Sequence, residues 1–167
     1  MKIYMSNIES IKNTADLENN LSEPELLQYN KFSNNIRKLQ YLLSHSLIKK
    51  VCGENVVVAE NGAPTIKSGF VSIAHKDNLV VVAVADTRVG IDIENTDIER
   101  DFIGQSALLN LPKTKDKKDF YRNFVDFEAK LKYGEGADMA KTYFYEFDNY
   151  LVGVCSQEQS KDIHFVP

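Results

Sequence analysis

Three short apolar runs follow one another in the middle of the chain, and only tight polar turns separate them. The runs span 71–74, 79–85 and 89–94, with Asp77-Asn78 and Asp86-Thr87-Arg88 between them. Short runs rich in valine and isoleucine that are bounded by such turns predict β-strands. Because turns this short connect antiparallel neighbours, the sequence predicts an antiparallel meander at the centre of the domain.

Helices and further strands on both sides of this meander predict an α+β fold. Ser22 and Glu25 have the spacing of a capping box, which predicts the start of a short helix. Gly53 is expected to end a longer helix, because glycine favours the left-handed conformation found after helix C-termini. The longer helices are predicted over 36–51 and 119–133, and the further strands over 1–5, 56–59, 142–147, 150–156 and 163–166.

The composition is ordinary for a globular domain of 167 residues. A net formal charge of -4 argues against nucleic-acid binding, which requires a basic surface. No apolar run reaches the length of a membrane span, and the first twenty residues lack a signal-peptide core. Cys52 and Cys155 are too few for a disulfide framework or a zinc site. The sequence therefore predicts a cytoplasmic protein that binds neither nucleic acid nor a membrane.

Two acidic residues share one face of the strand over 89–94. Side chains alternate along a strand, so Asp92 and Glu94 point the same way, with α-carbons about 6.6 Å apart. Gly90 lies on the same face and is expected to leave a gap beside them. Two acids beside a gap suit a hard divalent cation that also carries substrate phosphates. An ordinary strand with its polar face in water is the alternative.

The helix over 119–133 adds a third carboxylate. Glu128 is expected at the edge of the buried face, with Lys132 one turn further on. The alternative is a surface ion pair worth a few tenths of a kcal/mol. The core-facing stripe of this helix is predicted to consist of Phe120, Phe124, Phe127 and Leu131.

His75 and Lys76 lie at the end of the strand that begins at residue 71. A histidine and a lysine at a strand end can hold a phosphate group, although a lone histidine is more often structural. The lysine-rich segment 113–118 is interpreted as a solvated loop.

The order of these motifs resembles the 4'-phosphopantetheinyl transferases. The matching segments are Ile73-Ala74-His75, the strand Val89-Gly90-Ile91-Asp92-Ile93-Glu94, and a helix in which Phe124, Glu128, Ala129 and Lys132 keep the family spacing. The family shows a strand ending in S-H, a G-[IV]-D-[IV]-E strand and a W-x-x-K-E-A-x-x-K helix. The basic helix that contains Arg37 and the segment 61–64 are similar to upstream parts of the family pattern.

The resemblance implies transfer of phosphopantetheine from coenzyme A to a serine of an apo acyl or peptidyl carrier protein. Asp92, Glu94 and Glu128 would bind Mg²⁺, and Glu128 would also accept the serine proton. Lys132 would contact the diphosphate. His75, with Lys76 beside it, would bind a phosphate of coenzyme A, and Arg37 and the segment 61–64 would lie along its nucleotide end.

Four positions differ from the family pattern. Phe127 replaces the lysine before the glutamate, Ala74 a phosphate-binding serine, and Ala63 the lysine of a G-K-P turn. Phe124 replaces tryptophan. The sequence therefore retains the carboxylates of the family pattern but has fewer of its coenzyme A-binding side chains.

The resemblance also implies a monomer with one transferase-like domain over 1–167 and pseudo-twofold halves. The halves are predicted as an abbreviated one over about 1–68 and a second over about 69–167 that carries the metal motif. The basic residues of the helix over 36–51 and of 113–118 are candidates for docking an acidic carrier. A transferase-like protein that binds without catalysis and an unrelated magnesium phosphohydrolase are the alternative functions.

Overall fold

The computed structural model describes residues 1–59, 63–160 and 163–167, and they form an α+β fold. The predicted class is confirmed, with 37% of the chain helical and 31% in strands. The strands are β1 (Lys2–Asn7), β2 (Val57–Val58), β3 (Pro64–Thr65), β4 (Phe70–Lys76), β5 (Leu79–Ala85), β6 (Val89–Asn95), β7 (Lys141–Phe147), β8 (Tyr150–Ser156) and β9 (Ile163–Phe165). The helices are α1 (Thr14–Glu18), α2 (Glu23–Tyr29), α3 (Asn35–Cys52), α4 (Phe102–Leu108) and α5 (Lys117–Tyr133), with 3-10 turns at Ile8–Ser10 and Ala137–Met139.

Two sheets pack face to face and are covered by a helix on each outer side. The first sheet has the order β4-β5-β1-β9 and the second β6-β8-β7. Alternate residues of β1, β5, β6 and β8 form one buried apolar cluster between them. On the outer side of the first sheet, Leu47 and Ile48 of α3 pack against Val80 and Val82. No helix among the described residues is long and apolar enough to cross a membrane.

The predicted three-stranded meander is wrong at its second connection. β4 and β5 form the expected antiparallel hairpin, but β6 pairs with β8 and joins the second sheet. The reason is that β1 occupies the other edge of β5 along its whole length. β6 lies beside β4 instead, where the Ile91 backbone N–H donates to Ser72 Oγ at 3.1 Å.

The connectivity of β1, α3, β4 and β5 is repeated by β6, α5, β7 and β8. In each set the first strand pairs with the last, and the last pairs with the strand before it, giving β1-β5-β4 and β6-β8-β7. In each set the long helix follows the first strand and precedes the other two. The two sets meet at the turn over 86–88, whereas the predicted division at residue 68 separates β1 from its partner β5.

Helix α5 buries Phe120 of the predicted stripe, but its buried face otherwise differs from that stripe. Val125 and Ala129 are fully buried, whereas Leu131 is 65% exposed. The cause is a close approach to the second sheet: a Cβ placed on Gly90 would overlap the Ala129 carbonyl oxygen and lie 2.5 Å from the Tyr133 backbone nitrogen. The helix backbone therefore fills the space beside Gly90, and the prediction of a gap at this glycine is wrong.

A buried carboxylate joins α2, α3 and the segment that follows α3. Glu25 is 2% exposed and completes the predicted capping box by accepting from the Ser22 backbone N–H. It also accepts from Asn55 Nδ2 and the Val56 N–H, and bonds to His45 Nδ1 at 2.7 Å. Burial alone would raise the pKa of Glu25, but the hydrogen bonds from His45, Ser22 and Asn55 outweigh it and lower the pKa to about 2.

The low pKa of Glu25 predicts a specific acid sensitivity. The stabilisation is complete above the unfolded pKa of 4.5 and is lost as the pH falls from there towards about 2, because the unfolded chain takes up the proton first. The stability difference between wild type and Glu25→Gln should therefore shrink by about 2 kcal/mol between pH 7 and pH 3. Urea unfolding at both pH values measures it, with exposed Glu23→Gln as the control on the same helix; a constant difference would contradict the prediction.

Candidate functional site

Asp92 lies on the face of β6 that α5 covers, and it is only 8% exposed. Lys132 of α5 reaches it: the Nζ donates to Asp92 Oδ1 at 2.8 Å and to the Ile91 carbonyl oxygen at 3.0 Å. The other carboxylate oxygen, Oδ2, is buried without a hydrogen-bond partner among the described residues. The pKa of Asp92 is raised to about 6, because burial, helped by the negative charges of Glu94 and Glu128, outweighs the opposing effect of Lys132.

Glu94 follows on the same face of β6 and is paired with two cations. Lys76 Nζ and Arg100 Nη2 each lie 2.8 Å from its Oε2 atom. Both cationic side chains are 19% exposed, so these ion pairs are largely removed from water. Lys76 comes from the end of β4, and Arg100 from the segment between β6 and α4.

Glu128 lies one helical turn before Lys132 on α5 and is partly exposed. It acts on Asp92 through its negative charge, as does Glu94. Within 1–59, 63–160 and 163–167, no three acidic, histidine or cysteine side chains form a closed set of metal ligands. The three predicted metal ligands therefore do not form a ligand set as they stand: Asp92 and Glu94 are held in ion pairs, and Glu128 acts on Asp92 through its charge.

His75 lies near the end of β4, among positive charges from three other side chains. Burial, together with the positive charges of Arg37, Lys132 and Lys76, lowers the pKa of His75 to about 4. The imidazole is therefore neutral at pH 7, so it offers one hydrogen-bond donor and one acceptor but no charge. Arg37, on the first turn of α3, is brought to the site by the packing of α3 against the first sheet.

These residues form what we term the charged cluster, with carboxylates from β6 and α5 and cations from α3, β4, α5 and the segment before α4. Every predicted catalytic, metal-binding and coenzyme A-binding side chain belongs to it. Half of the proposed nucleotide-end segment 61–64 lies outside the described residues, since these omit 60–62. The charged cluster consists of Arg37, His75, Lys76, Asp92, Glu94, Arg100, Glu128 and Lys132.

Arg100 was missed by sequence reasoning. Its guanidinium carbon lies 5.7 Å from the ring centroid of Tyr121 and 5.6 Å from that of Phe124, so two α5 aromatic rings hold it in place. The segment from 95 to 118 carries no strong periodic pattern, and α4 within it was not predicted. The available signal was an arginine six residues after Glu94, which is not specific by itself.

The predicted basic docking residues are partly engaged within the chain. Lys49 Nζ donates to the Asn20 carbonyl oxygen at 2.7 Å, and Lys38 lies over the Tyr29 ring. Lys117 begins α5 and pairs with Glu99 at 2.8 Å. The segment predicted as a solvated loop therefore runs into the first turn of α5.

Comparison of the chain with models of known protein families and with curated proteins gives no match.

Proposed function

We propose that this protein is a 4'-phosphopantetheinyl transferase that acts on an apo acyl or peptidyl carrier protein. The observation that carries the proposal is the charged cluster itself. Side chains spread from Arg37 to Lys132 along the chain, in the order that resembles the family, meet at the junction of β4, β6 and α5. Three carboxylates next to several cations match what a magnesium ion and a diphosphate require together.

The charged cluster offers a magnesium ion suitable donor atoms, but its three carboxylates would have to move together to bind one, since they do not form a ligand set among the described residues. Asp92, Glu94 and Glu128 offer the hard carboxylate oxygens that Mg²⁺ prefers. Asp92 Oδ2 is buried without a partner among the described residues, which is costly unless a ligand or an ion satisfies it. Lys76 and Arg100 both pair with the Oε2 atom of Glu94, so a metal ion bound to Glu94 would lie close to two cations. When bound, Mg²⁺ would neutralise charge on the diphosphate oxygens.

The proposed reaction forms one bond and breaks one. The carrier serine oxygen bonds to the β-phosphorus of coenzyme A, and the bond from that phosphorus to the bridging oxygen breaks, releasing 3',5'-adenosine bisphosphate. Glu128 is the proposed acceptor of the serine proton, directly or through a water. Lys132 stabilises the charge on the diphosphate. The role of Glu128 is wrong if Glu128→Gln binds coenzyme A normally and transfers at the wild-type rate.

The fold is consistent with a transferase-like domain of two similar halves. The connectivity repeated by β1–α3–β4–β5 and β6–α5–β7–β8 supports the proposed pseudo-twofold arrangement. His75, Lys76 and Arg37 come from the first set, and Asp92, Glu94, Glu128 and Lys132 from the second. A monomer with its site where the halves meet is the corresponding proposal.

Binding without catalysis is the second candidate function. It is favoured by Phe127 and Ala74, which cannot bind phosphate as a lysine and a serine would, and by the engagement of Glu94 with two cations. A protein that binds coenzyme A or a carrier without transfer would use the same charged cluster.

Intact-mass spectrometry of an apo carrier protein separates these candidates. The carrier is incubated with this protein, coenzyme A and Mg²⁺, and the expected result is a gain of the phosphopantetheine mass that a chelator abolishes. Calorimetry with coenzyme A is run in parallel. Binding without a mass gain across several carriers would establish the second candidate, and the absence of both would exclude both. Release of free phosphate would instead indicate a phosphohydrolase.

A further inference from the structure

The charged cluster neutralises itself by pairing its carboxylates with its cations. Asp92 pairs with Lys132, and Glu94 with both Lys76 and Arg100, each at 2.8 Å. A metal ion and a diphosphate would use these same groups, the ion taking the carboxylates and the anion the cations. The ion pairs within the charged cluster therefore compete with the metal ion for the carboxylates and with the diphosphate for the cations.

Asp92 shows that the pairing is incomplete without a ligand. Its side chain is only 12% exposed, and its Oδ2 atom has no partner among the described residues, while Oδ1 accepts from Lys132. A buried carboxylate oxygen with no donor is rare, and it indicates a position that an ion or a donor occupies. The ion pairs of the charged cluster therefore leave one buried carboxylate oxygen that an ion or a donor could satisfy.

Either ligand alone meets an electrostatic penalty. A divalent cation that binds Glu94 places further positive charge beside Lys76 and Arg100, whose side chains are only 19% exposed and already share one carboxylate oxygen. A diphosphate alone approaches Asp92, Glu94 and Glu128, whose negative charges repel it. With both ligands present, the released cations pair with the anion and the carboxylates pair with the metal.

We propose that Lys76 and Arg100 pair with Glu94 in the ligand-free protein and bind the diphosphate of coenzyme A once a divalent cation takes Glu94, so that the cation and coenzyme A bind cooperatively. The identity of the anion rests on the proposed transferase function. These two cations substitute for the lysine and the serine that the family pattern has where this chain has Phe127 and Ala74. The Tyr121 and Phe124 rings keep Arg100 at the site during the exchange.

Calorimetric titration of Mg²⁺ and coenzyme A, each with and without the other, tests this inference. Coupling between two ligands is typically about 5- to 150-fold and is equal in both directions. Direct contact between Mg²⁺ and the diphosphate contributes to coupling in every variant, so the comparison between variants is decisive. In Lys76→Gln, Arg100→Gln and the double variant, Mg²⁺ alone should bind several-fold more tightly and coenzyme A with Mg²⁺ less tightly. The coupling factor of the double variant should fall at least about fivefold.

Lys130→Gln is the matched control. Lys130 also lies on α5 and forms an ion pair at 2.8 Å, but with Asp126. It should leave both affinities and the coupling unchanged. Circular dichroism melts identify any variant that fails to fold. If the double variant does not fold, the affinities and the coupling factor of each single variant test the inference.

Opposite shifts in the two affinities would not arise from a structural role, which would weaken both ligands together. Unchanged coupling in the variants, or weaker binding of Mg²⁺ alone, would overturn the inference even if the wild type transfers phosphopantetheine. Cooperative binding without transfer would support the inference and refute the proposed function. Failure of the wild type to bind either ligand would overturn both.

Discussion

The Asp92→Asn variant is expected to lose the proposed phosphopantetheine transfer by about a thousandfold or more, while it keeps its fold. Asparagine has nearly the same shape as aspartate, and its Oδ1 atom still accepts from Lys132. The substitution removes the negative charge that the proposed metal ion would require. Loss of a metal ligand costs several kcal/mol of transition-state stabilisation, and each 1.36 kcal/mol is a factor of ten in rate. Initial rates of carrier modification at saturating Mg²⁺, measured by intact mass, give the comparison.

Asp126→Asn is the control for removal of an acid from the same region. Asp126 pairs with Lys130 on the outside of α5, at 30% side-chain exposure. This variant should transfer at close to the wild-type rate. Equal rates for Asp92→Asn and the wild type would remove Asp92 from the proposed metal site. Equal losses in both variants would show that the effect comes from net charge rather than from the position of the carboxylate.

The Gly90→Ala variant is expected to lose about 3 kcal/mol or more of unfolding free energy, which is a large loss for one methyl group. The new Cβ would overlap the Ala129 carbonyl oxygen of α5, and backbone atoms cannot rotate away as a side chain can. Relief requires α5 to move off β6, which also separates Lys132 from Asp92. For a domain of this size the melting temperature should fall by about 6–12 °C.

Gly153→Ala is the matched comparison on the neighbouring strand. Gly153 lies opposite Asp92 in the β6–β8 register. Its added Cβ would overlap the Val125 Cγ1 atom, which belongs to a side chain and has more freedom to adjust than a backbone carbonyl. Gly90→Ala should therefore be the more destabilising of the two. A smaller effect at Gly90 would show that α5 does not depend on this close approach.

Local signals predicted individual elements well. The capping box at Ser22 and Glu25, the left-handed Gly53 after α3 and the β7–β8 hairpin all follow from neighbouring residues, and all are present. Such features depend on hydrogen bonds and backbone preferences within a few residues. The sequence contains the information for them in one place.

Strand pairing and helix packing between distant parts of the chain could not be predicted from local sequence patterns. Whether β6 pairs with β5 depends on β1, which lies about eighty residues earlier and takes that edge. The buried face of α5 depends on Gly90 and Gly153, which admit the helix so closely that Val125 and Ala129 fit better than phenylalanine. The apolar pattern of α5 alone cannot contain that information.

Some features of the charged cluster could be predicted from local patterns, and others could not. Asp92, Glu94 and the Glu128–Lys132 spacing are visible as short patterns, and the structure brings these groups together with His75, Lys76 and Arg37. The partners of the carboxylates were not predicted, because Arg100 lies in a segment without periodicity and meets Glu94 only through the tertiary fold. The residues themselves show no internal repeat, so two halves, divided at about residue 68, were implied only by the family resemblance.

The pairing of β1 with β9 has a consequence for the order of assembly. Ser6 Oγ donates to the Val166 carbonyl oxygen across 160 positions of the chain. At roughly 5–20 residues per second, a ribosome reaches Val166 about 8–32 s after Ser6. During that interval one edge of β1 has unpaired N–H and C=O groups, which strands of other nascent chains can bind. The period of risk for aggregation is thus set by the speed of translation as well as by the stability of the finished fold.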